Sequence, residues 1–189
     1  SISMDPKNYD RLIEIYEALA DYGYREVGQE YLQNVLNTDK KLDAYDSGRI
    51  YYYLGDYQKA YLALEEAKGK GGVDSYLYLG KAYAATGDYN YASSVYSNYL
   101  SKQGPDAEIY NQLGLCEMAK KDYQKALEAF QAGKQIEGNS LMQTLSFNEI
   151  VAYEYLQDYQ KAAVLLKAYL QNYPDDQAAI REQQFLSTR

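Results

Sequence analysis

The 189-residue chain has no histidine, no tryptophan, one cysteine, three prolines and only three phenylalanines. Each scarcity removes a class of chemistry. Without histidine there is no imidazole to activate a serine or cysteine nucleophile, and none to ligate a metal. A single thiol, Cys116, rules out an intramolecular disulfide and a thiolate-rich metal site. Long apolar runs are also missing, and no window approaches the ~18 uninterrupted apolar residues that would span a bilayer. Basic residues are outnumbered, 19 against 27 acidic ones. The resulting net charge of −8 argues against a nucleic-acid binder, which needs a basic footprint to neutralise phosphates.

What is present is an ordinary folding composition, 47% hydrophobic and 24% charged, with one outlier. Tyrosine accounts for 25 residues. The chain starts at Ser1, which leaves two expectations open: an upstream segment was removed, or Met4 is the natural start behind a tag remnant. The first residues do not read as a basic-then-apolar secretory leader. The scarcity of cysteine fits either side of a membrane.

The pentapeptide Asp-Tyr-Gln-Lys-Ala at 56–60 returns at 122–126 and 158–162, with a variant, Asp-Tyr-Asn-Tyr-Ala, at 88–92. Its aspartates, Asp56, Asp88, Asp122 and Asp158, are spaced by 32, 34 and 36 residues, the mark of stacked repeats. Apolar residues after the first copy fall at Tyr57, Ala60, Tyr61, Leu64 and Ala67, the stripe of a helix with one buried face. A similar stretch precedes each copy, so every unit reads as helix, tight turn, helix. Gly55 and Gly87 suit the left-handed turn that ends a first helix. Lys121 and Gln157 replace them in later copies, at a cost of about 1 kcal/mol each if they adopt that conformation. The four aspartates are placed to cap the second helices.

These residues resemble the tetratricopeptide repeat (TPR) family, bacterial type. The third unit carries Tyr76, Leu79, Gly80, Tyr83, Gly87, Tyr89, Ala92 and Tyr96 of its pattern. The fourth carries Tyr110, Leu113, Gly114, Tyr123, Ala126 and Phe130, with Glu117 in place of the helical tyrosine. The second has Gly48, Tyr51, Gly55, Tyr57, Ala60 and Ala67; the fifth has Tyr153, Tyr159, Ala162 and Pro174. Small pairs allow close helix crossing: Gly48 against Ala60, Gly80 against Ala92, Gly114 against Ala126. Ile150 opposite Ala162 predicts a wider crossing in the last unit, whose first helix is expected to start near Ser140. The expected architecture is an all-α solenoid of about five helix-turn-helix units, at 5–37, 41–70, 73–102, 106–137 and 140–173. The first is degenerate and opens on an Asp5-Pro6 start; a polar capping helix at 175–187 closes the array.

No enzymatic signature emerges. The glycine-rich, basic run at 68–72 lacks phosphate-loop spacing and reads as a connecting loop. Glu65-Glu66 and Asp175-Asp176 read as a solvated face and a helix start. Cys116 reads as a small buried hydrophobe.

The resemblance implies a right-handed superhelix whose concave face is lined by the first helices and takes an extended peptide. By position that face receives Tyr45, Arg49, Tyr52 and Tyr53 from the second unit, and Leu77 and Lys81 from the third. The fourth contributes Asn111, Leu115 and Met118, the fifth Phe147, Val151 and Tyr155. Arg49 and Lys81 are expected to meet a carboxylate. The Lys/Asn/Arg clamp that some members use for a chaperone tail is not reproduced, since Leu12, Tyr16, Asp46, Asp74 and Tyr78 stand in its places. The expectation is therefore a non-enzymatic scaffold for a protein or peptide segment, with no cofactor, no metal and no nucleic acid. Two alternatives stay open: self-association into a homo-oligomer through tyrosines such as Tyr91, Tyr99 and Tyr169, and carbohydrate recognition by tyrosine platforms. Compartment also stays open, extracytoplasmic in the manner of bacterial lipoproteins or cytoplasmic.

Overall fold

The structure, a computed structural model, describes residues 9–39, 42–68, 70 and 72–189. The expected Asp5-Pro6 helix start lies outside these residues, as do positions 69 and 71 of the glycine-rich run. Among the described residues there are eleven α-helices and no strand. None of the helices is long and apolar enough to cross a membrane. The chain divides into two compact halves, residues 1–87 and 88–189.

The first half holds α1 (Tyr9–Asp21), α2 (Arg25–Thr38), α3 (Ala44–Leu54), α4 (Tyr57–Glu66) and α5 (Val73–Ala85). Helices α1 and α2 form one hairpin, α3 and α4 the next, and α5 packs on α4. Its core joins Leu12, Tyr16, Leu32 and Ile50. Of the stripe read after the first repeat motif, Ala60, Leu64 and Ala67 are fully inaccessible and Tyr57 and Tyr61 half-buried. The second half holds α6 (Tyr89–Gln103), α7 (Ala107–Ala119), α8 (Tyr123–Lys134), α9 (Met142–Tyr155), α10 (Tyr159–Asn172) and α11 (Gln177–Leu186). Helix α11 covers the apolar face of the last hairpin, where Ala179 and Leu186 close on Ile150, Ala162, Leu166 and Tyr169.

The turns follow the sequence closely. Gly55 and Gly87 have φ of +81° and +85°, and Lys121 and Gln157 take the same left-handed conformation at +63° each. Each repeat aspartate accepts a backbone N–H three residues on: Asp56 from Lys59, Asp88 from Tyr91, Asp122 from Lys125 and Asp158 from Lys161. Replacing Lys121 or Gln157 by glycine removes the Cβ strain but loosens the unfolded chain. Each change is expected to raise stability by roughly 0.5–1 kcal/mol in urea unfolding, and no gain would mean the turn is unstrained in solution.

Helix α9 begins at Met142, two residues past the expected start near Ser140. Asn139 explains the delay: its amide donates to the Gly133 and Ile136 carbonyls at the end of α8, while its oxygen accepts from the Leu141 N–H. The side chain thus ends one helix and holds back the next. Ile150 is buried with Ala162 in the core of the last hairpin.

The candidate binding faces

In the first half, the residues expected on the concave face separate into a buried set and a half-buried one. Arg49 is inside, only 6% exposed. Its guanidinium donates to Asp10 Oδ1 and Asp46 Oδ1, both at 2.5 Å, and lies 4.4 Å above the ring of Tyr45. Burial pulls the guanidinium's pKa down, but the bonds to Asp46 and Asp10 more than reverse this and hold it above its ordinary value. Burial likewise pushes the Tyr45 hydroxyl up to about 12, although Arg49 opposes the shift. Arg49 is therefore a structural cation between two carboxylates, and the expectation that it meets a ligand carboxylate with Lys81 is corrected. Leu77 is also buried, and Lys81 is half-buried.

Tyr52 and Tyr53 belong to a tyrosine cluster. Their rings meet at 5.5 Å, and both meet Tyr78 of α5, at 5.6 and 5.9 Å. Tyr16 joins edge-on at 5.3 Å from Tyr53, and Tyr57 at 5.7 Å from Tyr52. The Tyr53 and Tyr78 hydroxyls are 3.0 Å apart, and Tyr53 donates to Glu17 Oε1 at 2.5 Å. Burial, and then the hydrogen bond to Glu17, raise the Tyr53 pKa well above the usual phenol value. The cluster thus unites α1, α3 and α5. Edge-to-face contacts of this kind fix ring orientation and add to area burial. The places of Leu12 and Tyr16 in the core, and of Asp46 on Arg49, agree with the absence of a chaperone-tail clamp.

In the second half, Asn111 is buried and accepts a hydrogen bond from the Asn148 amide at 2.9 Å, tying α7 to α9. It too is structural and not open. Met118 packs against the cluster of Ala126, Leu127, Phe130, Leu145 and Ala152. Phe147 packs on the last core, its ring 5.7 Å from Tyr169. Leu115 is 42% exposed and Tyr155 56%. Tyr155 also stacks on Tyr123 at 4.8 Å. The open positions on these first helices are thus Leu115, Tyr155 and the half-buried Val151.

Val151 and Tyr155 share a depression of about 530 Å³ with Glu154, Tyr159 of α10, and Glu182 and Phe185 of α11. Only the first two were expected on a binding face. Glu154 Oε1 is buried and has no hydrogen-bond partner. Burial first, and then the neighbouring Glu182 carboxylate, push the Glu154 pKa up to about 7.

Other polar residues serve the fold. Glu117, which stands where the repeat has tyrosine, is buried on Lys120 at 2.8 Å. Glu149 is buried on Lys134 at 2.5 Å and accepts from Gln131 at 2.8 Å. Asp176 caps α11 through the N–H groups of Ala178 and Ala179, and Glu65 pairs with Lys68. Cys116 is buried, and burial, with Glu117 adding, pushes its thiol up to about 12, far from a reactive thiolate. Tyr169 is buried with its hydroxyl on Asp176 at 2.5 Å, which removes it from the expected self-association surface.

Comparison with known proteins agrees with this geometry. Residues 77–140 and 147–176 match the tetratricopeptide repeat. No curated protein matches the chain. Among solved structures, the chain is similar to a thermophilic TPR protein of Thermus thermophilus, with a TM-score of 0.71 and 15% identity, covering 96% of this chain and 100% of that one. It is similar to MamA of Desulfovibrio magneticus, with a TM-score of 0.63, 19% identity, and coverage of 92% and 98%. A third similar structure is the second TPR domain of human RPAP3 in complex with the HSP70 peptide SGPTIEEVD, with a TM-score of 0.52, 15% identity, and coverage of 58% and 90%.

Proposed function

The chain is a tetratricopeptide-repeat protein, and from that premise we propose that it is a non-enzymatic scaffold that binds a protein or peptide segment along its first helices. The fold itself is that of a protein-interaction scaffold, and a domain of similar fold is solved holding a peptide. The observation that carries the finer reading is the tyrosine cluster across α1, α3 and α5. Helices α3 and α5 present the half-buried rings of Tyr52, Tyr53 and Tyr78, locked by one another and, through Tyr53, by the buried Tyr16 of α1. A rigid aromatic surface loses little entropy on binding, and the hydroxyls add directional contacts to a peptide backbone. In the second half, taken by itself, the exposed Leu115 and Tyr155 offer apolar contact area on α7 and α9. Self-association draws less support, because Tyr169 lies in the core.

The test is an array of synthetic peptides probed with the folded chain, followed by calorimetric titration of the best ligand. Tyr52→Ala/Tyr78→Ala is expected to weaken that ligand about 30-fold, the scale of an aromatic hot spot. Circular dichroism of the variant guards against unfolding. Unchanged affinity in a folded variant moves the site off α1, α3 and α5, and an array without a ligand defeats the reading.

A further inference from the structure

We propose that the depression between α9, α10 and α11 is a pocket for a cationic side chain, an arginine guanidinium or lysine ammonium presented by the bound segment. The proposal rests on the scaffold reading and adds to it a charge preference at one place.

Four features of the pocket converge. Its walls are aromatic: Tyr155 is 56% exposed, Phe185 38%, and Tyr159 is half-buried between them in the lining. Aromatic faces attract cations through the ring quadrupole, most strongly where water is partly excluded. Its floor is acidic, with Glu154 from α9 and Glu182 from α11. One carboxylate oxygen, Glu154 Oε1, is buried with no donor but the proton that the carboxyl can share with Glu182, and a cationic donor would take that proton's place. Finally, the protein already sets a guanidinium on this wall. Arg189 stacks 4.7 Å from the Phe185 centroid and 5.8 Å from that of Tyr159. Aromatic faces of this pocket thus accept a planar cation, while the carboxylates further in offer the bidentate acceptor that a guanidinium fits best. The volume of about 530 Å³ is ample for one such side chain.

The titratable groups that line the pocket with Glu154 are Glu182 of α11, Tyr159 of α10 and Tyr155 on its own helix, and Arg189, beyond α11, stacks on the Tyr159 and Phe185 rings. Burial, then the Glu182 carboxylate, push the Glu154 pKa up to about 7. Below that value the pocket carries one charge fewer. A cation therefore binds more tightly as pH rises through about 7, and its binding releases the proton.

The experiment uses the full chain, isotopically labelled, in heteronuclear NMR titrations with tetra-arginine and, separately, tetra-glutamate. Tetra-arginine is expected to shift amide signals in the second half of α9 and along α11, saturably, with affinity about tenfold higher at pH 8 than at pH 5.5. Glu154→Gln/Glu182→Gln should lose that binding and its pH dependence while keeping the wild-type circular dichroism and a melting temperature at least as high. Shifts spread over the whole acidic surface would overturn the proposal, as would equal binding by the variant or preference for tetra-glutamate. The scaffold reading fails separately. A peptide captured by the tyrosines of α1, α3 and α5, with α9 and α11 unmoved by tetra-arginine, sinks the cation pocket alone. An array that yields no peptide sinks the scaffold reading whatever tetra-arginine does.

Discussion

Arg49→Ala is expected to lower the stability of the chain by about 3 kcal/mol, although position alone would class it as a ligand contact. The arginine side chain is 7% exposed and holds two carboxylates of unequal burial, Asp46 at 16% and Asp10 at 75%. The exposed partner is largely screened by water and contributes little, so the cost lies with Asp46. Burial already pushes the Asp46 carboxyl up, with Arg49 opposing it and Asp43 and Asp10 adding to it. Without Arg49 that carboxylate is left partly buried among like charges. A buried pair broken on one side costs about 3–5 kcal/mol, and the open Asp10 side puts this case at the lower end. Two further measurements separate this cause from simple loss of packing. Arg49→Met/Asp46→Asn removes both charges and should recover most of the loss in urea unfolding. In Arg49→Ala, the deficit should also shrink as pH falls and protonation neutralises Asp46. An effect within about 0.5 kcal/mol, the range of ordinary surface changes, would return Arg49 to the open face.

The same residue shows what the sequence could and could not disclose. Turn positions were legible because their chemistry is local: glycine or a tolerated substitute at positive φ, then an aspartate that caps three residues later. The buried stripe of α4 was legible from period alone. The helical register that placed Arg49 and Asn111 on the first-helix face is the same whether a polar side chain points to water or into a neighbour. What decides is the surroundings. Asn111 is held by Asn148, 37 residues away. The weightier partner of Arg49, Asp46, is three residues away on the same helix and shows in sequence only as one more charge on the same face. Leu115 and Tyr155 are exposed, since no long-range partner covers them fully. Glu154 gave only a weak sign, an acid within an apolar run of Val151, Tyr153 and Tyr155. Its pocket depends on Glu182 and Phe185, from a terminal helix that reads in sequence as polar cover and nothing more. The late start of α9 was hidden for a different reason: it depends on where one amide, that of Asn139, places its three hydrogen bonds.

Gly114→Ala is expected to destabilise the second half by about 2 kcal/mol, against the ordinary rule that alanine improves a helix. The sequence paired Gly114 with Ala126 as a close crossing. In the structure the nearest obstacle is a ring: a Cβ on Gly114 would stand 2.6 Å from Cδ1 of Phe130 and 2.7 Å from Cζ, with Cε1 nearer still. Phe130 is fully inaccessible, wedged among Ala126, Leu127, Leu145 and Ala152, and a planar ring has no flexible end to withdraw. Overpacking of this kind costs up to about 3 kcal/mol, from which a helix-propensity gain of about 1 kcal/mol is recovered. Gly48 is the control. Its Cβ would meet Leu64 Cγ at 2.6 Å, but also the Ala60 carbonyl at 3.3 Å, so leucine can change rotamer more readily than a ring can. Gly48→Ala should therefore cost less than Gly114→Ala. The decisive comparison places Gly114→Ala in a Phe130→Leu background. If the ring is the obstacle, alanine should change sign there and stabilise by up to about 1 kcal/mol, the propensity gain without the clash. If it destabilises equally in both backgrounds, the crossing is limited by backbone approach of α7 to α8, as the small-pair reading of the sequence supposed.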